Sequence, residues 1–320
     1  TVLITPKTAA STSTSSSVSA TFSVLLQKGQ TFFVNKSNLG DATSLAGSIV
    51  SSNQPVAVTV YEHGTGTSSC HDLIGDQLIS SNFLGTTFVL PKTSTEDRVF
   101  VMAVENGTQI SMGGGAVTAN LSWGETAILT PTADFSYLQS NKKVYVYHVA
   151  ARDCEFSASL VPNATCAGSY TANLVRKNSN NFSIFLYTRT GFENNFTINN
   201  APIDLSTVTF QPVLGATNGL VAAEIPLNDI PVGGLVQVVN TVDIFGAASY
   251  NGAASNGSYF SFASDYSVTT FSNAGVDATT CANVPLALNG LVGGGAISGS
   301  WSTTGYGSFA NANNQLVNNY

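Results

Sequence analysis

Ser52-Asn53-Gln54-Pro55-Val56-Ala57-Val58 and Ser140-Asn141-Lys142-Lys143-Val144-Tyr145-Val146 are two copies of one phrase. Their flanks match as well. Gly29-Gln30-Thr31 lies upstream of the first copy and Gly124-Glu125-Thr126 upstream of the second. His63, after Tyr61-Glu62, and His148, after Val146-Tyr147, are read as corresponding positions. A repeat of this length implies a duplicated β module. Such modules bury a continuous core and present a surface, and they seldom mark a catalytic centre.

Around the two copies, short segments alternate in period two. Examples are Thr21–Leu26, Val56–Tyr61, Val99–Val104, Val144–Tyr147 and Phe182–Tyr187. Gly, Asn, Asp and Ser separate them, which is the signature of antiparallel sheets. The best helix candidate is a single turn near Asp72–Gln77. The expected class is all-β, built as repeated antiparallel sandwich-like modules, with a β-propeller as the competing architecture.

Four blocks follow. Residues 1–94 form β repeat one and 95–178 β repeat two, which opens with Arg98–Val104 and an Asn106-Gly107 hairpin signal. Residues 179–276 form a divergent third repeat, in which Leu235–Val239 and Asp243–Ala247 echo the repeated strands. Residues 277–320 read as a linker and the beginning of an Ig-like repeat, with Trp301 and Phe309 as inward anchors. Two strands bury no core alone, so the chain is expected to stop partway through a further domain.

Composition narrows the function classes. Of 320 residues, 43% are hydrophobic and only 9% charged, against roughly 25% charged in an average soluble domain. A polar, weakly charged surface suits an extracellular setting. The 11 Lys and Arg form no cluster, and the net charge is -7, which argues against nucleic acid and anionic lipid. No apolar run reaches the 18 residues of a membrane-spanning helix. The start, Thr1-Val2-Leu3-Ile4-Thr5-Pro6, lacks a basic n-region and reads as a mature or trimmed end.

Cys70, Cys154, Cys166 and Cys281 form no CxxC pair, which disfavours zinc-ribbon and thioredoxin readings. An extracellular setting favours disulfides. Cys154 and Cys166 are near enough in sequence to staple one loop, leaving Cys70 and Cys281, but all three connectivities stay open. Sequons stand at Asn35, Asn106, Asn120, Asn163, Asn181, Asn195 and Asn256. In so Asn-, Ser- and Thr-rich a chain they reflect composition first and glycosylation second.

Each candidate for chemistry has a blander structural account. His63, His71 and His148 are the only histidines, and a three-histidine metal site is conceivable. Equivalent positions in separate repeats are usually far apart, which favours structural roles. No Gly-x-Ser-x-Gly elbow supplies a nucleophile for a Ser-His-Asp triad. Glu62, Asp72, Asp76, Glu96, Asp97 and Glu105 offer carboxylate pairs for glycoside hydrolysis or calcium, but they lack Asp-x-Asp-x-Asp spacing. Turns and solvated edges account for them more simply. Gly64-Thr65-Gly66 and Gly113-Gly114-Gly115 open no helix and read as hairpin turns. Aromatics give the best binding argument, at Phe192-Glu193-Asn194-Asn195-Phe196 and Tyr250-Asn251-Gly252, where rings flank amide-rich loops. Core filling and loop punctuation account for any single one more simply. No catalytic, cofactor or metal residue is therefore assigned.

The phrase Ser52–Val58, the Asp-led segment Asp72–Leu78 and Leu84-Gly85-Thr86-Thr87-Phe88, in that order, resemble the N-terminal module of the IgGFc-binding protein family, over about residues 1–270. The tail from Cys281 through Trp301 and Phe309 is similar to Ig-like repeats of giant Bacteroidota surface adhesins. The third block departs from the pattern by lacking a clean Pro-Val phrase. The resemblance implies a non-enzymatic, secreted, cell-surface adhesin of the type IX-exported kind, connected with gliding motility or biofilm. Its partners would be surface glycans, glycoproteins or neighbouring adhesin modules. No cofactor is expected beyond weakly indicated calcium. The rival readings are a spacer or filament subunit assembling through β-strand pairing, and an ancillary domain of a carbohydrate-active enzyme.

Overall fold

A computed structural model describes residues 1–12, 17–36, 45–67, 70–165, 167–253, 257–263, 271–273, 279–280, 285–288, 291–293, 300–303, 308–309 and 318–319. Among them the regular structure is β throughout, apart from 3-10 turns at Ser81–Phe83 and Glu193–Asn195.

Repeat one contains β1 (Val2–Thr5), β2 (Ala10–Thr12), β3 (Phe22–Val24), β4 (Val34–Lys36), β5 (Ile49–Ser52), β6 (Val58–Thr67) and β7 (Cys70–Leu78). They form a sheet of order β3-β1-β5 and two pairs, β2-β4 and β6-β7. The Asp72–Gln77 stretch, expected as a helical turn, lies in β7. Its period of two decides this: Asp72, Ile74 and Asp76 are at least partly covered, while Leu73, Gly75 and Gln77 are exposed. Gly64-Thr65-Gly66 is not the hairpin turn either. It lies within β6, where the register shifts between His63 and Thr65, a bulge that glycine accommodates.

Repeat two contains β9 (Arg98–Ala103), β10 (Thr108–Met112), β11 (Ala119–Leu121), β12 (Thr126–Leu129), β13 (Phe135–Arg152) and β14 (Glu155–Leu160), and its sheet also takes in β8 (Gly85–Pro91), which pairs with β13 although it lies within the residues 1–94 expected as repeat one. The 18-residue β13 organises it. Its first half runs between β10 and β8, its second between β9 and β14, with a register break between Gln139 and Val144. One strand thus pairs with four neighbours, and the seven strands of this single sheet curl into a nearly closed barrel. Phe88, Leu90, Val99, Val101, Ile110, Leu138, Val144 and Val146 fill it, each almost fully buried.

The duplicated phrase falls on this break. Val2 pairs with Ser52 as Ile110 pairs with Ser140, so β1-β5 corresponds to β10-β13 and β3 to β11. The hairpin β6-β7 likewise corresponds to the second half of β13 with β14. The matched registers place His63 eleven residues beyond Ser52 but His148 only eight beyond Ser140. The two histidines are therefore not equivalent, and the residue matching His148 is Val60. Asn106-Gly107 is a turn, with Gly107 at φ 70, yet it closes no hairpin. It carries the chain from β9 to β10, which pair with different halves of β13.

Repeat three contains β16 (Asn181–Arg189), β17 (Phe196–Ile198), β18 (Ala201–Pro202), β19 (Gln211–Pro212), β20 (Leu220–Pro226), β21 (Leu235–Asn240), β22 (Gly246–Gly252) and β23 (Ser258–Ala263), joined by β15 (Thr171–Val175), which pairs with β21 although it lies within the residues 95–178 expected as repeat two. A sheet of order β15-β21-β17-β18 faces one of order β19-β20-β16-β22-β23 in a sandwich. Phe182, Ile184, Leu186, Phe196, Val236, Val238 and Phe245 form the core between them. The second sheet is covered on its other face as well. Phe185, Tyr187, Ala222 and Tyr250 pack against Val89, Phe135, Tyr137 and Ala150 of repeat two. Burial on both faces leaves no room at Gly246 in β22, where a Cβ would run into the Tyr187 ring.

Beyond β23, the short strands β24 (Phe271–Asn273), β25 (Ala287–Leu288), β26 (Leu291–Gly293) and β27 (Asn318–Asn319) pair β24 with β26 and β25 with β27. The rings of Trp301 and Phe309 are 5.9 Å apart. Most of the expected Ig-like strands, with Cys166 and Cys281, lie outside the described residues.

Candidate functional site

The polar groups singled out in the sequence become anchors. Asp97 and His148 are both fully buried. The Asp97 carboxylate lies 3.2 Å from His148 Nε2. It also accepts from Thr93 N and Thr93 Oγ1, both at 2.7 Å, from Ser94 Oγ at 3.4 Å and from Ala151 N at 3.1 Å. Burial opposes its ionisation, but the hydrogen bond and electrostatic attraction of His148 and the bonds from Thr93 outweigh it, holding the carboxyl below its ordinary range. His148 Nδ1 has no partner, and the ring meets Phe260 edge-on at 4.8 Å. The pair has the composition of a triad's acid and imidazole but faces hydrocarbon. Its work is to clamp the loop at Thr93–Asp97 onto β13.

The other carboxylates act in the same way. Asp72 accepts from Phe156 N, and Asp76 from Leu160 N, both at 2.7 Å, with Ser159 Oγ at 3.2 Å from Asp76. Repeat one is thus fastened to the edge of β14 by side-chain carboxylates where a backbone ladder would otherwise run. Glu96 accepts from Asp153 N at 2.7 Å, and Glu105 pairs with Lys142 at 3.6 Å. Glu62 sits on exposed β6. Among the described residues no three His, Cys, Asp or Glu side chains converge as a metal site would require. Cys154 is disulfide-bonded.

The expected aromatic loops are mostly interior. Phe196, Tyr250 and Asn251 are buried, and Phe192 lies under the Arg189 guanidinium at 5.1 Å. That guanidinium makes a two-pronged contact with Asp243 at 2.9 and 2.5 Å, which raises its pKa despite partial burial. Asn251 accepts from Lys177 N and Asn178 N and donates to Asn178 Oδ1, Asn180 O and Asn181 O. Buried Arg176 donates to five carbonyls, of Asn178, Ser179, Asn180, Asn228 and Ile230. A guanidinium carries five N–H donors, so this single side chain pins the whole Asn-rich turn.

The accessible feature built on that rigid turn is a groove of about 240 Å³ at the open side of the repeat-three sandwich, between β15 and β23. Asn173, Val175 and Lys177 form one wall, Tyr259 and Ser261 the other, and Asn251, Ser249 and Phe262 lie beneath. Tyr259 is 52% exposed. The period of β23 explains the wall: Phe260 turns inward, so Tyr259 and Ser261 turn outward. That alternation is visible in Ser258-Tyr259-Phe260-Ser261-Phe262. What the sequence did not show is that β15 would lie opposite. Chemically the groove presents an aromatic face, an amide, hydroxyls and one cation beside a turn held by the hydrogen bonds of Asn251 and Arg176.

An all-β repeat protein with buried polar anchors and an open, amide- and aromatic-lined groove has the form of a binding module. The family model described as IgGFc binding protein matches residues 1–284, and the chain belongs to that family. No curated protein and no solved structure matches it. No helix among the described residues is long and apolar enough to cross a membrane.

Proposed function

We propose that this chain is a non-enzymatic binding module of a large extracellular surface protein, and that the β15–β23 groove is part of its contact surface. The supporting observation is Tyr259, half exposed beside Asn173, Lys177 and Ser261 on a floor locked by Asn251 and Arg176. Rigid aromatics with adaptable amides and hydroxyls recognise glycans and glycoproteins at low entropic cost. The family's description adds IgG Fc as a ligand to test. An adhesin of the Bacteroidota type, followed by Ig-like repeats and stiffened by calcium, fits the weakly charged composition and the Trp301–Phe309 contact.

The test is binding of purified residues 1–320 to a glycan and glycoprotein array that includes IgG Fc with and without its glycans, in calcium and in chelator. Tyr259→Ala should weaken the hit by about tenfold, close to 1.4 kcal/mol. Binding unchanged by Tyr259→Ala would move the contact elsewhere. Silence on every ligand would favour the second reading, a spacer or filament unit joined by strand pairing, which the open edge of β6 supports.

A further inference from the structure

Repeat two shows what repeat one lacks. Along β13 four neighbours pair in turn: β10 and β8 with the first half, β9 and β14 with the second. In repeat one, β1 takes the place of β10 on β5, and β7 takes the place of β14 on β6. Among the described residues no strand pairs in the places of β8 and β9, and the Phe33 ring, just before β4, stacks on Tyr61 at 5.9 Å without pairing with β6.

The side chains record the same vacancy. Counted from Ser52 and Ser140, Val50 is 40% exposed where Leu138 is 0%, and Val56 is 45% exposed where Val144 is 0%. Val60 is 40% exposed where His148 is 0%, and Tyr61 is 52% exposed where Val149 is 2%. From Val58 to the bulge after His63, the edge of β6 carries one carboxylate, Glu62, and no Lys or Pro of the kind that guards a free edge. Such an edge is a template for strand addition.

We propose that the free edges of β5 and β6 are an acceptor site for two extended strands with the alternation of β8 and β9, donated by a polypeptide segment outside residues 1–320. The internal repeat defines the occupant. β9 reads Arg98-Val99-Phe100-Val101-Met102-Ala103 and buries Val99, Val101 and Ala103 completely against β13 and its core. A donor for β6 needs the same small apolar residues at alternate positions, in antiparallel register with residues 56–61. This site is separate from the groove: it is completed by backbone pairing, and its failure leaves binding at Tyr259 untouched.

Because Val2 stands to Ser52 as Ile110 stands to Ser140, a copy of residues Phe83–Gln109 placed directly before Val2, in place of Thr1, carries its strands to the vacant positions. Amide hydrogen exchange at residues 56–61 of the grafted full chain is compared with the parent and with a graft carrying Val99→Asp and Val101→Asp in the added copy. Exchange should slow about tenfold or more in the first graft and stay at the parent rate in the second. The free Phe83–Gln109 peptide, added to the parent chain, should give the same protection, which guards against a graft that fails to fold. Light scattering reports oligomeric state throughout. Three outcomes overturn the proposal: no added protection from graft or peptide, protection already present in the monomeric parent at those amides of residues 56–61 that face away from β7, or protection of these amides appearing only in a dimer of the parent, which would make a second copy the occupant.

Discussion

Ser52 and Ser140 make the same hydrogen bond in the two repeats: each hydroxyl donates to the carbonyl two residues on, Gln54 at 2.5 Å and Lys142 at 2.6 Å. The next residue is also used alike: Asn141 Oδ1 accepts from Gln109 N at 2.7 Å, and Asn53 Oδ1 accepts from Thr1 N, at the matching strand start, at 2.8 Å. The duplicated phrase is thus a bend that turns the strand toward new partners and captures its neighbour.

Removing either hydroxyl should loosen that bend. Ser140→Ala is expected to cost about 1 kcal/mol, and Ser52→Ala less because its bend is exposed. Urea unfolding of the two variants measures both. A larger loss at Ser52 would contradict the structural equivalence.

Asp97→Ala takes the acceptor from Thr93 N, Thr93 Oγ1, Ala151 N and His148 Nε2 and should cost about 3–5 kcal/mol. The ionised carboxyl is favoured in the fold, so its contribution is present above the ordinary aspartate pKa of about 3.9 and disappears as pH falls below it. Stability measured from pH 7 to pH 3 should drop in the parent. It should drop less in Asp97→Asn, which has no proton to take up there.

Asp72 and Asp76 hold the seam between repeats one and two. Each change to Ala should cost about 1–2 kcal/mol, and changes to Asn, which keep an acceptor, less. The double Ala variant should melt in two stages, with the β6-β7 hairpin losing its exchange protection first. A single cooperative melt at the parental midpoint would deny the seam this role.

Cys154 lies on the same seam. Phe156 meets Asp72 and Leu160 meets Asp76, a constant separation of 84 positions. Carried back to position 154, that separation reaches Cys70. Peptide mapping without reductant should therefore link Cys70 to Cys154, and reduction should lower stability by roughly 2–5 kcal/mol. A Cys154–Cys166 link would refute the register argument.

Much of this was legible in advance. Period-two alternation marked β9, β13 and β16, and the recurrence of Ser-Asn followed by alternating apolar residues marked the bend. Local patterns misled where a neighbouring strand decides the structure. Asp72–Gln77 has the composition of a helical turn, yet its carboxylates are claimed by amides of β14, which are distant in sequence. Asn106-Gly107 has the chemistry of a hairpin, yet its two strands join different halves of β13. Tyr250 and Asn251 resemble a binding loop, but repeat two covers Tyr250, and the Asn251 amide is taken up by the turn at residues 177–181.

The all-β class and the scarcity of charge are readable from the chain alone, because each follows from composition and from the spacing of residues near one another. Only the tertiary structure decided that Asp97 and His148 meet in the interior, that β15 and β23 face each other across a groove, and that the edges of β5 and β6 stand open. Those are relations between segments tens of residues apart. Strand register and sheet packing bring them together, and neither is encoded in any one stretch of the chain.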